Sequence, residues 1–213
     1  MPFDILPGWA GLAPFLLATL ALNLTPGADM TYTIARAAAQ GRWAGYASAM
    51  GIGLGCFVHT VAAAAGLAAL LQAHPAAFVA IKWLGATYLL YLAIKLVLAK
   101  PAAGAGDLPA RGRARVFWEA TLVNVLNPKV AIFMLAFLPQ FVDPARGPVW
   151  AQMLILGSLL NLGGIAINAT VASLVGLGAR RLQRSARLQR AMNLVSGTLL
   201  GGLAVRLALV EQR

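Results

Sequence analysis

The sequence predicts an all-α membrane protein of six transmembrane helices, arranged as a 3+3 inverted repeat with broken first and fourth helices. Three observations lead there. Of 213 residues, 60% are hydrophobic and only 11% charged, with mean hydropathy +0.77, a composition that belongs to polytopic membrane proteins. The apolar residues fall into six runs, each near the ~20 residues that a spanning helix needs. Two of those runs, the first and the fourth, are interrupted by a proline flanked by asparagine and by a charge.

The six runs lie at about 9–30, 44–71, 76–98, 116–139, 149–177 and 191–210. Met1 to Gly8 carries Asp4 and no Lys or Arg, so it lacks the basic start of a secretory signal, and the first run is expected to stay in the protein. Between the third and fourth runs, Pro101 to Arg115 is rich in Pro, Gly, Ala and Arg. It reads as a flexible linker, residues 99–115, between repeat 1 (about 9–98) and repeat 2 (about 116–210) of a single transporter domain.

The net charge of +11 would suggest nucleic acid in a soluble chain; here the bases lie between apolar runs and read as orientation signals. Arg36, Arg42, Lys95, Lys100, Arg111, Arg113, Arg115, Arg180, Arg181, Arg184, Arg187 and Arg190 fall on one side, twelve of the seventeen. Only Lys82, Arg146, Arg206 and Arg213 fall on the other. The excess puts the linker in the cytoplasm and both termini outside an inner, cytoplasmic membrane. Trp43, Trp83, Trp118 and Trp150 stand near run ends as interface anchors.

The two halves echo each other. Thr87, Leu89, Leu92, Ala93, Lys95 and Leu96 recur 111 residues later as Thr198, Leu200, Leu203, Ala204, Arg206 and Leu207. Val61-Ala62 and Gly66-Leu67 recur 110 later, and Pro26 recurs 102 later as Pro128. With three crossings per half, the second copy must be inverted, and a site is expected near midplane where the broken helices meet.

The unusual chemistry sits at the two breaks. Asn124-Val125-Leu126-Asn127-Pro128-Lys129 places a proline that removes a backbone donor, two amides and a lysine inside an apolar run. A lysine there costs on the order of 3 kcal/mol. Asn23-Leu24-Thr25-Pro26-Gly27-Ala28-Asp29 matches it with an acid. Asp29 and Lys129 are expected to approach each other or share a cavity between the first and fourth runs. An acid in that setting can alternate between a proton and a cationic substrate; equally, Asp29 can cap the half-helix that follows the break. A half-helix N-terminus is expected to face a substrate carboxylate.

Other polar residues offer choices. His59 lies three residues from Cys56 on one face. The pair lacks enough ligands for a metal, so a carbonyl-bonded histidine is expected, with a proton-relay role open to it. Asn161 and Asn168, seven apart, share a face and can line the path or serve freed carbonyls. Gly51-x-x-x-Gly55 and Gly197-x-x-x-Gly201 allow close helix contact, within the fold or in a homodimer. Glu119 is four residues from Arg115 and is expected to pair with it.

Thr25-Pro26-Gly27-Ala28-Asp29 with Gly41 and Gly45 resembles the Thr-Pro-Gly-Pro-Asp region of the LysE/RhtB family of amino-acid exporters. Asn127-Pro128-Lys129 through Phe133 to Leu138-Pro139-Gln140-Phe141 resembles its Asn-Pro-Lys and Leu-Pro-Gln-Phe elements. His59 with Gly66-Leu67, and Gly85 with Tyr88-Leu89, fit as well. Ala28 stands where that family has a second proline, and Ala120 where a glycine is usual. The resemblance implies six helices and energy-coupled efflux of small amino compounds by proton antiport.

The competing readings fare less well. A metal-ion or other small-cation exporter calls for more Cys, His and acid at membrane depth. A thiol-redox carrier needs two thiols, and the chain has Cys56 alone. No nucleophile or acid–base constellation suggests an enzyme, no phosphate loop suggests ATP, and no cofactor, resident metal or nucleic-acid partner is expected. The site residues expected for substrate binding or coupling are Asn23, Thr25, Pro26, Gly27, Asp29, His59, Asn124, Asn127, Pro128, Lys129, Asn161 and Asn168.

Overall fold

The computed structural model describes residues 5–73, 77–98, 109–177 and 186–209, and among these it is helical throughout, with no strand. Eight α-helices follow in order: α1 (Trp9–Leu24), α2 (Ala28–Gln40), α3 (Arg42–Ala73), α4 (Ala77–Leu98), α5 (Arg113–Val125), α6 (Pro128–Ala136), α7 (Val149–Gly176) and α8 (Ala186–Leu209). Two short 3-10 turns, Leu138–Phe141 and Pro144–Arg146, lie between α6 and α7. The order of a broken pair, a long helix and a further helix thus occurs twice.

The first run, expected to be broken, is two helices, α1 and α2, bent by 50°. Thr25 precedes Pro26 and is forced out of helical geometry, with φ −68° and ψ 115°. The fourth run is likewise α5 and α6, bent by 53°. There Asn127 is extended (φ −82°, ψ 104°) and Pro128 takes the first helical position, where its missing N–H costs nothing. Among the described residues, α3 (over Arg42–Gly66) and α7 are each long and apolar enough to cross a membrane; counting each bent pair as one span gives four. The third and sixth expected runs form α4 and α8, whose described parts do not reach that measure. The expected flexible linker falls mostly outside the described residues, as do Arg180, Arg181 and Arg184.

Helix α3 lies between α5 and α7, α4 packs along α8, and α1 contacts α7 and α8. Glycines permit the closest of these approaches. A Cβ at Gly55 would stand 2.8 Å from the Thr121 carbonyl and from Asn124, and one at Gly51 would collide with the Phe117 carbonyl. The Gly51–Gly55 pair therefore serves a contact inside the fold, α3 on α5. Gly201 faces Ala93 across the α4–α8 contact. Ala120 is fully buried beside Gly51.

Phe15, Leu22, Phe133, Met134, Leu138, Met153, Leu156 and Leu200 make the buried core. Phe137 lies between Phe133 and Phe141, tilted to both, with ring centroids 4.6 and 4.8 Å away. Trp43, Trp83, Trp118 and Trp150 are all more than half exposed, as membrane-interface anchors would be.

Arg36 is not a loop base but a buried residue of α2, 3% exposed. Its Nη2 lies 3.0 Å from Glu119 Oε2, and its Nη1 donates to the Pro109 carbonyl at 3.2 Å. Glu119 pairs with Arg115 four residues earlier (3.1 Å) and also with Arg111. Tyr32 donates to the same carboxylate at 2.9 Å, and Gln40 holds the Arg111 carbonyl at 2.6 Å. One carboxylate thus joins α2, α5 and the end of the linker.

Candidate functional site

The two breaks face each other, and each supplies what the other lacks. Asp29, in the first turn of α2, is buried, 8% exposed. Its Oδ2 accepts from Asn124 Nδ2 and from Asn127 Nδ2, both at 3.0 Å. Lys129, in the first turn of α6, sends its ammonium the other way. Nζ donates to the Thr25 carbonyl at 3.1 Å and to the Leu22 carbonyl at 3.3 Å, the end of α1 where the helix dipole favours a cation. The Asn127 side chain caps α6 by accepting from the Lys129 N–H at 3.0 Å.

Asp29 and Lys129 line one cavity without an ion pair within 4.0 Å of each other. The cavity measures about 30 Å³, enough for roughly one or two waters and too small for an amino acid. Seven of the twelve expected residues line it: Asn23, Thr25, Asp29, Asn124, Lys129, Asn161 and Asn168. Pro26, Gly27, His59, Asn127 and Pro128 stand behind that wall. His59 Nε2 lies 3.1 Å from the Asn124 carbonyl, at the end of α5. Asn23 Nδ2 donates to the Leu160 carbonyl at 3.1 Å, and Asn161 Nδ2 to the Gly53 carbonyl at 3.0 Å. These last two asparagines tie α7 to α1 and α3.

The wall has a chemical bias. Asp29 Oδ1, Asn124 Oδ1 and Asn168 Oδ1 are buried and have no hydrogen-bond partner, while the amide nitrogen of each of these asparagines has one. An unpaired buried acceptor costs about 1–3 kcal/mol, so each of these three oxygens is short of an N–H or O–H donor.

Several wall residues escaped the sequence reading. Leu22, Met30, Ile52, Val130 and Leu160 close the apolar side, and nothing marks them among many like them. Gly164 admits Asn23, whose Oδ1 would lie 3.1 Å from a Cβ there; the Gly163-Gly164 pair was its one signal. Gln152, fully buried, orders the turn before α7 through the Asp143 and Gly147 carbonyls, at 2.8 and 3.1 Å.

The family model of the LysE type translocators matches residues 20–211, nearly the whole chain. The chain belongs to the LysE-type translocators. A membrane protein of Vibrio cholerae described as uncharacterized is 30% identical over 91% of this chain and 94% of its own length. The homoserine/homoserine lactone efflux protein of Salmonella typhimurium is 37% identical over 67% of this chain and 69% of its own. No solved structure matches. For this translocator, the two family-like motifs are the two breaks themselves.

Proposed function

We propose that this translocator is a secondary-active exporter of amino acids or amino-acid derivatives, working across the cytoplasmic membrane by proton antiport. The observation that carries the reading is the acceptor-biased cavity at the crossed breaks. A primary ammonium brings three N–H donors to a cavity whose lining residues carry three unpartnered oxygens, one of them on a carboxylate. A proton on Asp29 answers part of the same deficit. Each occupant excludes the other, which is the condition for exchange. The Salmonella relative is named for efflux of homoserine and its lactone, both small amines, and this supports the same substrate class.

The remaining site residues serve this centre. Asn127 holds the Asp29 carboxylate and Pro128 opens α6 after it, while Thr25, Pro26 and Gly27 make the α1–α2 break at which Lys129 binds. His59 occupies the carbonyl that the second break frees. The site is closed around a space smaller than its substrate, so loading requires the two bent pairs to flex at Pro26 and Pro128. The Glu119 cluster, on the face we assign to the cytoplasm, holds the halves together there.

The test is accumulation of labelled amino compounds, homoserine among them, in everted vesicles with an acid interior. Gradient-driven accumulation is expected, and Asp29→Asn is expected to abolish it while leaving exchange. Indifference to the pH gradient would remove the antiport; accumulation of none of the compounds would remove the export reading. Orientation is tested in a Cys56→Ser background. A cysteine placed in 101–115 is expected to react only from the cytoplasm, and one beside Arg146 only from outside.

A further inference from the structure

The break at Pro26 ends α1 in carbonyls that carry the negative end of a helix dipole. Half-helix C-termini of this kind are where transporters with broken helices coordinate monovalent ions. Here the place is taken by an ammonium borne on a side chain of the other repeat. Lys129 Nζ touches the Thr25 and Leu22 carbonyls, and residue 27 has no side chain where a Cβ would come within 3.2 Å of Nζ. The acid that a half-buried lysine would ordinarily seek, Asp29, lines the same cavity but is held by Asn124 and Asn127 instead. Lys129 is therefore seated as an ion would be, on carbonyl oxygens at a helix end, while Asp29 and Asn124, each with an unpartnered oxygen, line the same cavity.

We propose that the Leu22 and Thr25 carbonyls form a monovalent-cation position, that Lys129 fills it with its own ammonium, and that this tethered cation makes the translocator independent of sodium. Withdrawal of the Lys129 side chain opens the position to an inorganic ion. The consequence for coupling rests on the export reading above; the ion position itself does not.

The probe is sodium chloride against potassium and choline chlorides at equal ionic strength, read as the melting temperature of the purified full chain in detergent. The native protein is expected to melt at the same temperature in all three. Lys129→Ala in choline is expected to melt lower by roughly 5 °C. Sodium should return at least half of that loss in a saturable way, and choline none. Lys129→Met, with the length of lysine and no charge, is measured beside it, so that a packing defect of the shortened side chain does not decide the result. Sodium must stabilise both variants. In a Cys56→Ser background, Lys129→Cys treated with 2-bromoethylamine regains an ammonium and should lose its response to sodium.

A sodium response equal in the native protein and the variants would overturn the proposal, as would none in either variant. Because melting reads ion binding without transport, such a failure leaves the export reading to the vesicle assay. Vesicles that accumulate nothing would in turn leave the ion position standing.

Discussion

The break at Pro26 and the break at Pro128 use the same parts, an asparagine, a proline and a charge, yet they are closed differently. At the first, α1 ends on Thr25 and its carbonyls are met by a cation from the second. The half-helix that follows begins at Gly27 with no side-chain cap, and its acid reaches across to two amides of the other break. At the second, α6 is capped from within by Asn127, and the carbonyl of Asn124 is met by His59 from α3. The second break caps its own half-helix and takes one further contact from α3; the first depends on the second. A proline break in an apolar helix can thus be repaired locally or by exchange, and the exchange welds two distant parts of the chain into one site.

That contrast can be broken deliberately. The largest effect is expected from Asn124→Leu, which removes one of the two amides on the buried Asp29 carboxylate. A hydrogen bond to a charged group contributes about 1.5–3 kcal/mol, so stability should fall by that order and export by tenfold or more. Thermal melting and vesicle transport read the two losses. Unchanged export would show that Asp29 needs only Asn127.

Pro128→Ala is expected to cost less. Alanine tolerates the first position of α6 and the helix should insert as before, with stability changed by about 0.4–1 kcal/mol. Export should nevertheless drop several-fold, because the angle at which Asn127 meets Asp29 is set there. A variant that inserts and exports normally would reduce Pro128 to a tolerated kink.

His59→Leu should have the smallest effect. It strips one partner from the Asn124 carbonyl, worth about 1 kcal/mol, while the Asp29 contacts persist. Export close to native with lowered melting would keep His59 as a cap. Loss of the pH dependence of export would instead make it part of the proton path.

Both breaks were legible in the chain because proline, asparagine and charge have no business together in a plain span. The direction of the repair was not. Linear spacing places Asp29 and Lys129 in matching motifs, and matching invites pairing them. Only the packed helices show Lys129 turned toward carbonyls that carry no mark in sequence. Segment bounds fared well for the long helices, as 149–177 against Val149–Gly176 shows. Arg36 illustrates the opposite case. It was counted as a loop base, and its burial against Glu119 depends on a contact 83 residues away. No local pattern announces that.

The glycines of α3 have a bearing on inheritance. At Gly51 and Gly55 the helix presents bare backbone to the carbonyls of α5, and the patch ends on Asn124, whose amide steadies Asp29. A single methyl at either position would wedge α5 away and misalign Asn124, although neither glycine borders the cavity. Changes at these positions would present as transport defects in a gene whose proposed binding residues are all intact.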